Sequence, residues 1–301
     1  MDIWIKILQN LRTEHCPKEK SKRSLEIIKK FSNIFYLPGD QLSCTNNVVH
    51  DIDTKDHKPI FNKTYRYPAA HKEEVKRQID EMQKQKIIRP SNSPWNSPLW
   101  VVPKKMDASG KTKWRIVIDF RKLNDITEAD KFPLPNIEDI LDNLGRAKYF
   151  TTLDLTSGFH QVSMNERDIP KTAFSTEDGH WEYTKMPFGL KNAPATFQRL
   201  MNSVLPGLTP KQCLVYLDDI IIFGNSLEQH NERLTSVLRT LEKNNLKVQP
   251  DKCEFLRTEV KYLGHIISNE GVKPNPDKIE TIQNFPIPRT DRKSTRLNSS
   301  H

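Results

Sequence analysis

Hydrophobic positions recur at two spacings along this chain, and the switches between them mark a succession of helices and strands. Ile3, Trp4, Ile7, Leu8 and Leu11 share one face of a short amphipathic helix. A Lys-rich linker is expected from Pro17 to Arg23. Ser24 then caps a second helix with Ile27, Ile28, Phe31, Ile34 and Phe35 inward, ended by Pro38-Gly39. His50 to Tyr67 alternates as extended chain, and Pro68 to Lys86 reads as a polar helix. A proline-punctuated loop, Arg89 to Pro98, precedes two strands, Leu99–Val102 and Trp114–Phe120, joined at the turn signal Asp107 to Gly110. Asn136 caps a helix with Ile137, Ile140, Leu141 and Leu144 on one face, stopped by Gly145. A strand follows from Lys148 to Leu155, then a strand–turn–strand unit from Arg167 to Tyr183 around Glu177-Asp178-Gly179. Asn192 and Pro194 open a helix that buries Phe197, Leu200, Met201, Val204 and Leu205, and Pro206-Gly207 closes it. Two strand-like apolar runs around Leu217-Asp218 read as a hairpin, and Ser226 with Gln229 forms a capping box. The helix after it buries Leu234, Val237, Leu238 and Leu241. A last hairpin is expected from Lys252 to Ile267, with Gly264 inside it. No internal repeat is present.

The one discordant feature in this pattern is Asp218-Asp219, two adjacent carboxylates between apolar runs. Neighbouring carboxylates repel and are costly beside apolar strands. Asp is a favoured turn residue, which gives one explanation. A divalent cation held by oxygen ligands gives another. A third carboxylate would favour the second, and Asp154 stands near the end of the Lys148–Leu155 strand, followed by Thr156-Ser157-Gly158-Phe159. The hairpin of Leu99 to Phe120 carries Lys104, Lys105, Lys111, Lys113 and Arg115, either a solvated basic face or a phosphate-binding one.

Composition narrows the classes. At 301 residues the chain can hold one large domain or two small ones. No run approaches the roughly 18–20 apolar residues of a membrane span. Met1 to Leu11 has no long apolar core or cleavage site, which argues against a secretion signal. Cys16, Cys44, Cys213 and Cys253 form no CxxC pair, which argues against zinc and for reduced thiols inside a cell. The formal charge of +9 suits a polyanionic partner. The last residues, Asp291 to His301, lack periodicity and match the translation of a common sequencing-library adapter, so they are set aside as a scar. Without their three basic and one acidic residues the formal charge is +7, and the chain stays basic.

The order of these pieces resembles a reverse transcriptase. The wording of Trp114-Arg-Ile-Val-Ile-Asp-Phe-Arg-Lys-Leu-Asn124, Leu153-Asp-Leu155, Met186-Pro-Phe-Gly-Leu-Lys-Asn-Ala-Pro-Ala-Thr-Phe-Gln198 and Tyr216-Leu-Asp-Asp219 is similar to the gypsy-type LTR retrotransposons. A lone Tyr-x-Asp-Asp would be weak, but this ordered set is highly specific, and the resemblance covers roughly residues 45–290. It implies an α+β fold: the fingers and palm of a right-hand polymerase, with an antiparallel palm sheet backed by helices and a truncated thumb. It implies an N-terminal extension or linker over 1–48, fingers and palm over 49–275, and the start of a thumb over 276–290. The implied reaction is RNA-directed, and also DNA-directed, addition of deoxynucleotides to a primer 3′-hydroxyl.

By the same resemblance Asp154 and Asp218 are ligands of two Mg²⁺ ions, for which Mn²⁺ can substitute, with Asp219 in the same acidic cluster. Lys105 and Arg115 contact the triphosphate, as can backbone N–H groups at Ser157 and Gly158. Phe159 aligns with an aromatic gate that crowds a ribose 2′-hydroxyl. Phe188 and Gly189 belong to the nucleotide pocket. Phe188 stands where retroviral enzymes often carry Gln, so that contact does not carry over and an apolar wall is expected. Tyr216 shapes the hairpin tip beside the substrate, and Tyr262-Leu263-Gly264 matches the primer grip. Trp95, between Pro94 and Pro98, lies where fingers meet template and equally suits packing. The expected partners are an RNA or DNA template with primer, deoxynucleoside triphosphates and the other Pol segments (protease, RNase H, integrase), with no membrane. The implied location is the cytoplasm, within virus-like particles. Phosphate contacts should make template binding fall steeply with salt. Two alternatives stay open: a catalytically incomplete template–primer-binding fragment, poorly processive without a thumb, and an RNA-dependent RNA polymerase, against which Phe159 argues.

Overall fold

The computed structural model describes residues 3–11, 18–104, 113–144 and 147–276. At its centre is a four-stranded antiparallel sheet in the order Glu254–Arg257, Tyr149–Asp154, Asp219–Gly224, Cys213–Tyr216. The run Ile220-Ile221-Ile222-Phe223 explains why it is central. Successive side chains on a strand point to opposite faces. Ile220 and Ile222 enter one core with Leu153, Val215 and the helices Ala193–Val204 and Leu227–Lys243. Ile221 and Phe223 enter a second core with Phe150, Leu214 and the helix Ile137–Leu144. Both faces are covered, so the strand reads as an unbroken apolar run rather than an alternating one.

A three-stranded antiparallel meander, Glu259–Tyr262, His265–Ser268 and Gly271–Pro274, completes the second core through Val260, Tyr262 and Ile267. This replaces the single hairpin expected from Lys252 to Ile267. The first part of that stretch leaves to pair with Tyr149–Asp154 at the sheet edge, and only the remainder folds on itself. Leu263 and Gly264, with φ of 47° and 80°, form the tight two-residue turn that re-starts the chain. The basic hairpin pairs Leu99–Pro103 with Trp114–Ile118 in register. Its expected turn at Asp107 to Gly110, together with Lys105 and Lys111, lies outside the described residues.

The N-terminal stretch differs from expectation. The second helix spans Lys18–Lys30, so the expected linker from Pro17 to Arg23 is helical from Lys18 onward. Ser24 is therefore interior to the helix and caps nothing. Its hydroxyl, 1% exposed, donates instead to Asn231 Oδ1 at 2.6 Å, docking this helix on Leu227–Lys243. Ile7, Ile28, Phe31, Ile34 and Phe35 are all buried in the first core. Phe35 also stands edge-on to Phe255 of the sheet-edge strand at 6.3 Å. Asp51 to Tyr67 is largely without regular pairing, and the strand in this region is Thr45–His50, parallel to Val162–Met164.

Two caps illustrate how local signals fared. Ser226 Oγ accepts from Gln229 N–H at 3.2 Å, and the Gln229 side chain reaches back to Asn225 N–H at 2.8 Å, one residue beyond the expected box. Replacing Ser226→Ala should cost about 1 kcal/mol, read as a shifted midpoint at unchanged slope in urea denaturation. Asn192 precedes the helix Ala193–Val204 but makes no side-chain cap. Its amide instead accepts from Asp130 N–H and donates to the Glu128 carbonyl, at 3.0 and 2.7 Å. The domain boundary at 276 and the tail from 291 fall where residues 277–301 are outside the description.

Candidate active site

Asp154 is the last residue of its strand and Asp219 the first of the next, and they are direct partners across the antiparallel pair. Side chains opposite one another in such a pair lie on the same face a few ångströms apart. Asp218 is at the second position of a two-residue turn between Tyr216 and Asp219, which pair with each other. Leu217, the first position, has φ 56°, a left-handed conformation uncommon for a side chain with Cβ. Its N–H donates to Gln198 Oε1 at 3.0 Å, and Gln198 is 1% exposed. The helix Ala193–Val204 therefore holds the hairpin tip in its strained shape. Gln198 lies at the end of a recognised motif, yet its task was not legible from spacing.

The carboxylates feel one another. Asp219 meets solvent, yet the strand atoms packed around it, followed by the charges of Asp218 and Asp154, raise its pKa to about 6. Asp154 is raised as well, first by burial, while Lys252 pulls the other way. The Lys252 ammonium donates to Asp154 Oδ1 at 3.1 Å and to Oδ2 at 3.4 Å. It is a cation brought to the cluster from the segment Pro250–Lys252, and nothing in the apolar pattern pointed to it. Among the described residues no three acidic, histidine or cysteine side chains already converge tightly enough to enclose an ion. The trio is thus a cluster that a hard cation would draw together, not a closed cage. An all-oxygen, multiply charged donor set suits Mg²⁺ or Mn²⁺.

Different elements stand on the two sides of this cluster. On one side Asp154, Asp219 and Lys252 line a cleft of about 150 Å³ with Tyr262 and Leu263. Tyr262 is buried, and its hydroxyl donates to the Asp219 carbonyl at 3.2 Å, so the grip segment is tied directly to the carboxylate hairpin. Leu263 and Gly264 are partly exposed at the turn. On the other side, a Cβ placed on Gly158 would lie 3.1 Å from Asp218 Cβ and 3.0 Å from the Phe197 ring, which explains glycine there. Ser157 before it has φ 44° and ψ 51°, and its carbonyl accepts from His160 N–H at 2.8 Å. Thr156 N–H donates to the Lys247 carbonyl, and Gln249 N–H donates to the Asp154 carbonyl, so the segment after Leu246 braces this strand end.

Phe159 stacks on Phe188, with centroids 5.0 Å apart. The turn around Phe188 is pinned to the basic hairpin's side, since Asn124 Nδ2 donates to the Gly189 carbonyl and its Oδ1 accepts from Lys191 N–H, both at 2.8 Å. Gly189 has φ 92°, a conformation its lack of Cβ permits. Tyr216 is partly buried and packs against the second core. Arg115 is exposed on the hairpin of Leu99–Pro103 and Trp114–Ile118, in a different sheet from the carboxylates. Lys105 lies outside the described residues. Trp95 is 7% exposed within the first core, so its visible role is packing.

The family described as reverse transcriptase (RNA-dependent DNA polymerase) matches residues 102–267, and the chain belongs to it. Reverse transcriptases are generally dependent on a divalent metal. The chain is 52% identical to the Pol polyprotein of transposon 297 of Drosophila melanogaster over 93% of its own length, and 41% identical to that of transposon gypsy of the same fly over 90%. It spans about a quarter of these relatives, 26% of each. Its fold is that of the foamy viral protease-reverse transcriptase in complex with dsDNA, at a TM-score of 0.86 and 26% identity over 99% of this chain and 61% of the other. The same protein in complex with an RNA/DNA hybrid superposes at a TM-score of 0.84, covering 99% of this chain and 39% of that one. The expected α+β arrangement of fingers and antiparallel palm is thereby shown. No described helix is long and apolar enough to cross a membrane.

Proposed function

We propose that this chain is the polymerase portion of a retrotransposon Pol protein and adds deoxynucleotides to a primer on RNA and DNA templates. The observation that carries the reading is the two-sidedness of the carboxylate cluster. Tyr262 and Leu263 share one cleft with Asp154 and Asp219 and pack with the second core, while Gly158 passes beside Asp218 and Phe197, and Phe159 packs on the first core. A primer end delivered from the first side and a nucleotide from the second would meet at the carboxylates.

Asp154, Asp218 and Asp219 would hold the two Mg²⁺ ions, or Mn²⁺ in their place. Bound there, the metals supply activation of the primer hydroxyl and charge stabilisation at the leaving pyrophosphate. The chain's own residues orient the reactants. Backbone N–H groups at Ser157 and Gly158 would receive phosphate oxygens, since a turn of this kind forms an anion-binding concavity. Arg115 and Lys105 would neutralise the triphosphate from the fingers hairpin. Because Tyr262 is buried against the Asp219 carbonyl, the primer would rest on Leu263 and Gly264, with Tyr262 keeping that turn in step with the carboxylates. Tyr216 would shape the tip. Other Pol segments would complete the protein, and its setting would be cytoplasmic virus-like particles.

Primer extension on poly(rA)/oligo(dT) with Mg²⁺ tests the reading by comparing dTTP with UTP. Incorporation of dTTP with strong discrimination against UTP is expected. Preference for UTP would identify an RNA polymerase instead. Template–primer binding without any extension would favour a binding fragment.

A further inference from the structure

We infer that Phe188 selects the sugar of the incoming nucleotide by holding Phe159 in place, acting as a positioning residue for that ring. The inference rests on the reading of Phe159 as the group that meets the sugar.

Phe159 packs against two rings. Phe197, at 5.4 Å and 52°, is fully buried in the helix Ala193–Val204 and cannot yield. Phe188, at 5.0 Å and 29°, is 51% exposed and forms a second wall. An aromatic ring confined on one side only can swing about its side-chain torsions, and the second wall removes that freedom. Half exposure would be a weak support were Phe188 itself loose. It is anchored on both flanks. His160, the residue after the gate, sets its ring edge-on to Phe188 at 5.1 Å and 81°. Burial lowers the His160 pKa to about 4, so the ring is neutral, and its Nδ1–H donates to the Met186 carbonyl at 3.1 Å. On the other flank the Gly189 carbonyl accepts from Asn124. The Pro-Phe-Gly turn is thus tied both to the gate's own segment and to the fingers. A glutamine at this position would offer hydrogen bonds to a nucleotide but no ring to stack on Phe159.

The test is the ratio of kcat/KM for dTTP over UTP on poly(rA)/oligo(dT), measured for the full chain as wild type, Phe188→Ala, Phe188→Tyr, Phe159→Ala and the double variant Phe159→Ala/Phe188→Ala. Phe188→Ala should lower the ratio by about tenfold or more, the scale on which a pocket of altered shape loses discrimination. Phe188→Tyr keeps the ring and should restore the ratio. The double variant should be no less selective than Phe159→Ala alone, because both act through one ring. If Phe188→Ala changes both nucleotides equally while Phe159→Ala relaxes selection, Phe188 is a wall of the pocket only and the inference fails. If Phe159→Ala itself leaves the ratio unchanged, the gate reading fails, and this inference with it.

Discussion

Asp218→Asn should lower dTTP incorporation by at least about a thousandfold while template–primer binding is retained. Asp218 sits at the hairpin tip, its Cβ close to where Gly158 passes, and its charge adds to burial in raising the Asp219 pKa to about 6. An amide preserves shape and turn propensity but brings no charge to a divalent cation. Metal assistance is worth several kcal/mol of transition-state stabilisation, and about 1.4 kcal/mol corresponds to each factor of ten. Binding should persist because phosphate contacts by basic residues, not the carboxylates, supply most of it. The variant should also be no less stable than the wild type without metal, since it removes a repelling charge. Unfolding of Asp218→Asn at the wild-type midpoint, with extension abolished, would separate chemistry from structure. Extension within tenfold of wild type would remove Asp218 from the metal site.

The second large effect is on stability. Gly224→Ala should destabilise the protein by about 1–3 kcal/mol, the range for overpacking, with a fall in Tm of several degrees. A Cβ there would lie 2.8 Å from His230 N and 2.9 Å from His230 Cα, which are backbone atoms of the helix Leu227–Lys243. Helix and strand must separate to admit it. The glycine is required by this close approach: it ends the central strand opposite Tyr149, and the helix begins three residues later. Because the clash is with backbone, shortening the neighbour by His230→Ala should not rescue it. A Gly224→Ala protein that melts with the wild type would contradict the tight packing of helix on palm.

What the residues revealed, and what they hid, follows from the range of the interactions. Asp154 and Asp218-Asp219 were legible because a carboxylate beside apolar strands is discordant locally, and the strand period carried Asp154 to the right end of Tyr149–Asp154. Ser226 was legible because a cap acts within one turn. Lys252 was not, because its partner Asp154 is distant in sequence and a lysine just before a strand looks like any solvated one. Gln198 and Asn124 were visible as letters of motifs, but their bonds to Leu217 and Gly189 are tertiary. Ser24 misled because a serine followed by apolar spacing imitates a cap. Its real partner, Asn231, comes from another helix. The stretch from Lys252 to Ile267 misled for a related reason. Strand spacing says nothing about which neighbour a strand chooses, and Glu254–Arg257 chose the palm.

The measurement that bears most directly on the central claim, a carboxylate cluster doing metal-dependent templated synthesis, is single-nucleotide extension of oligo(dT) on poly(rA) across a metal titration. No addition of dTTP is expected in excess EDTA, with recovery on adding Mg²⁺ or Mn²⁺ and no recovery at any metal concentration for Asp154→Asn. Extension that survives EDTA, or an Asp154→Asn protein that extends like the wild type, would contradict that claim.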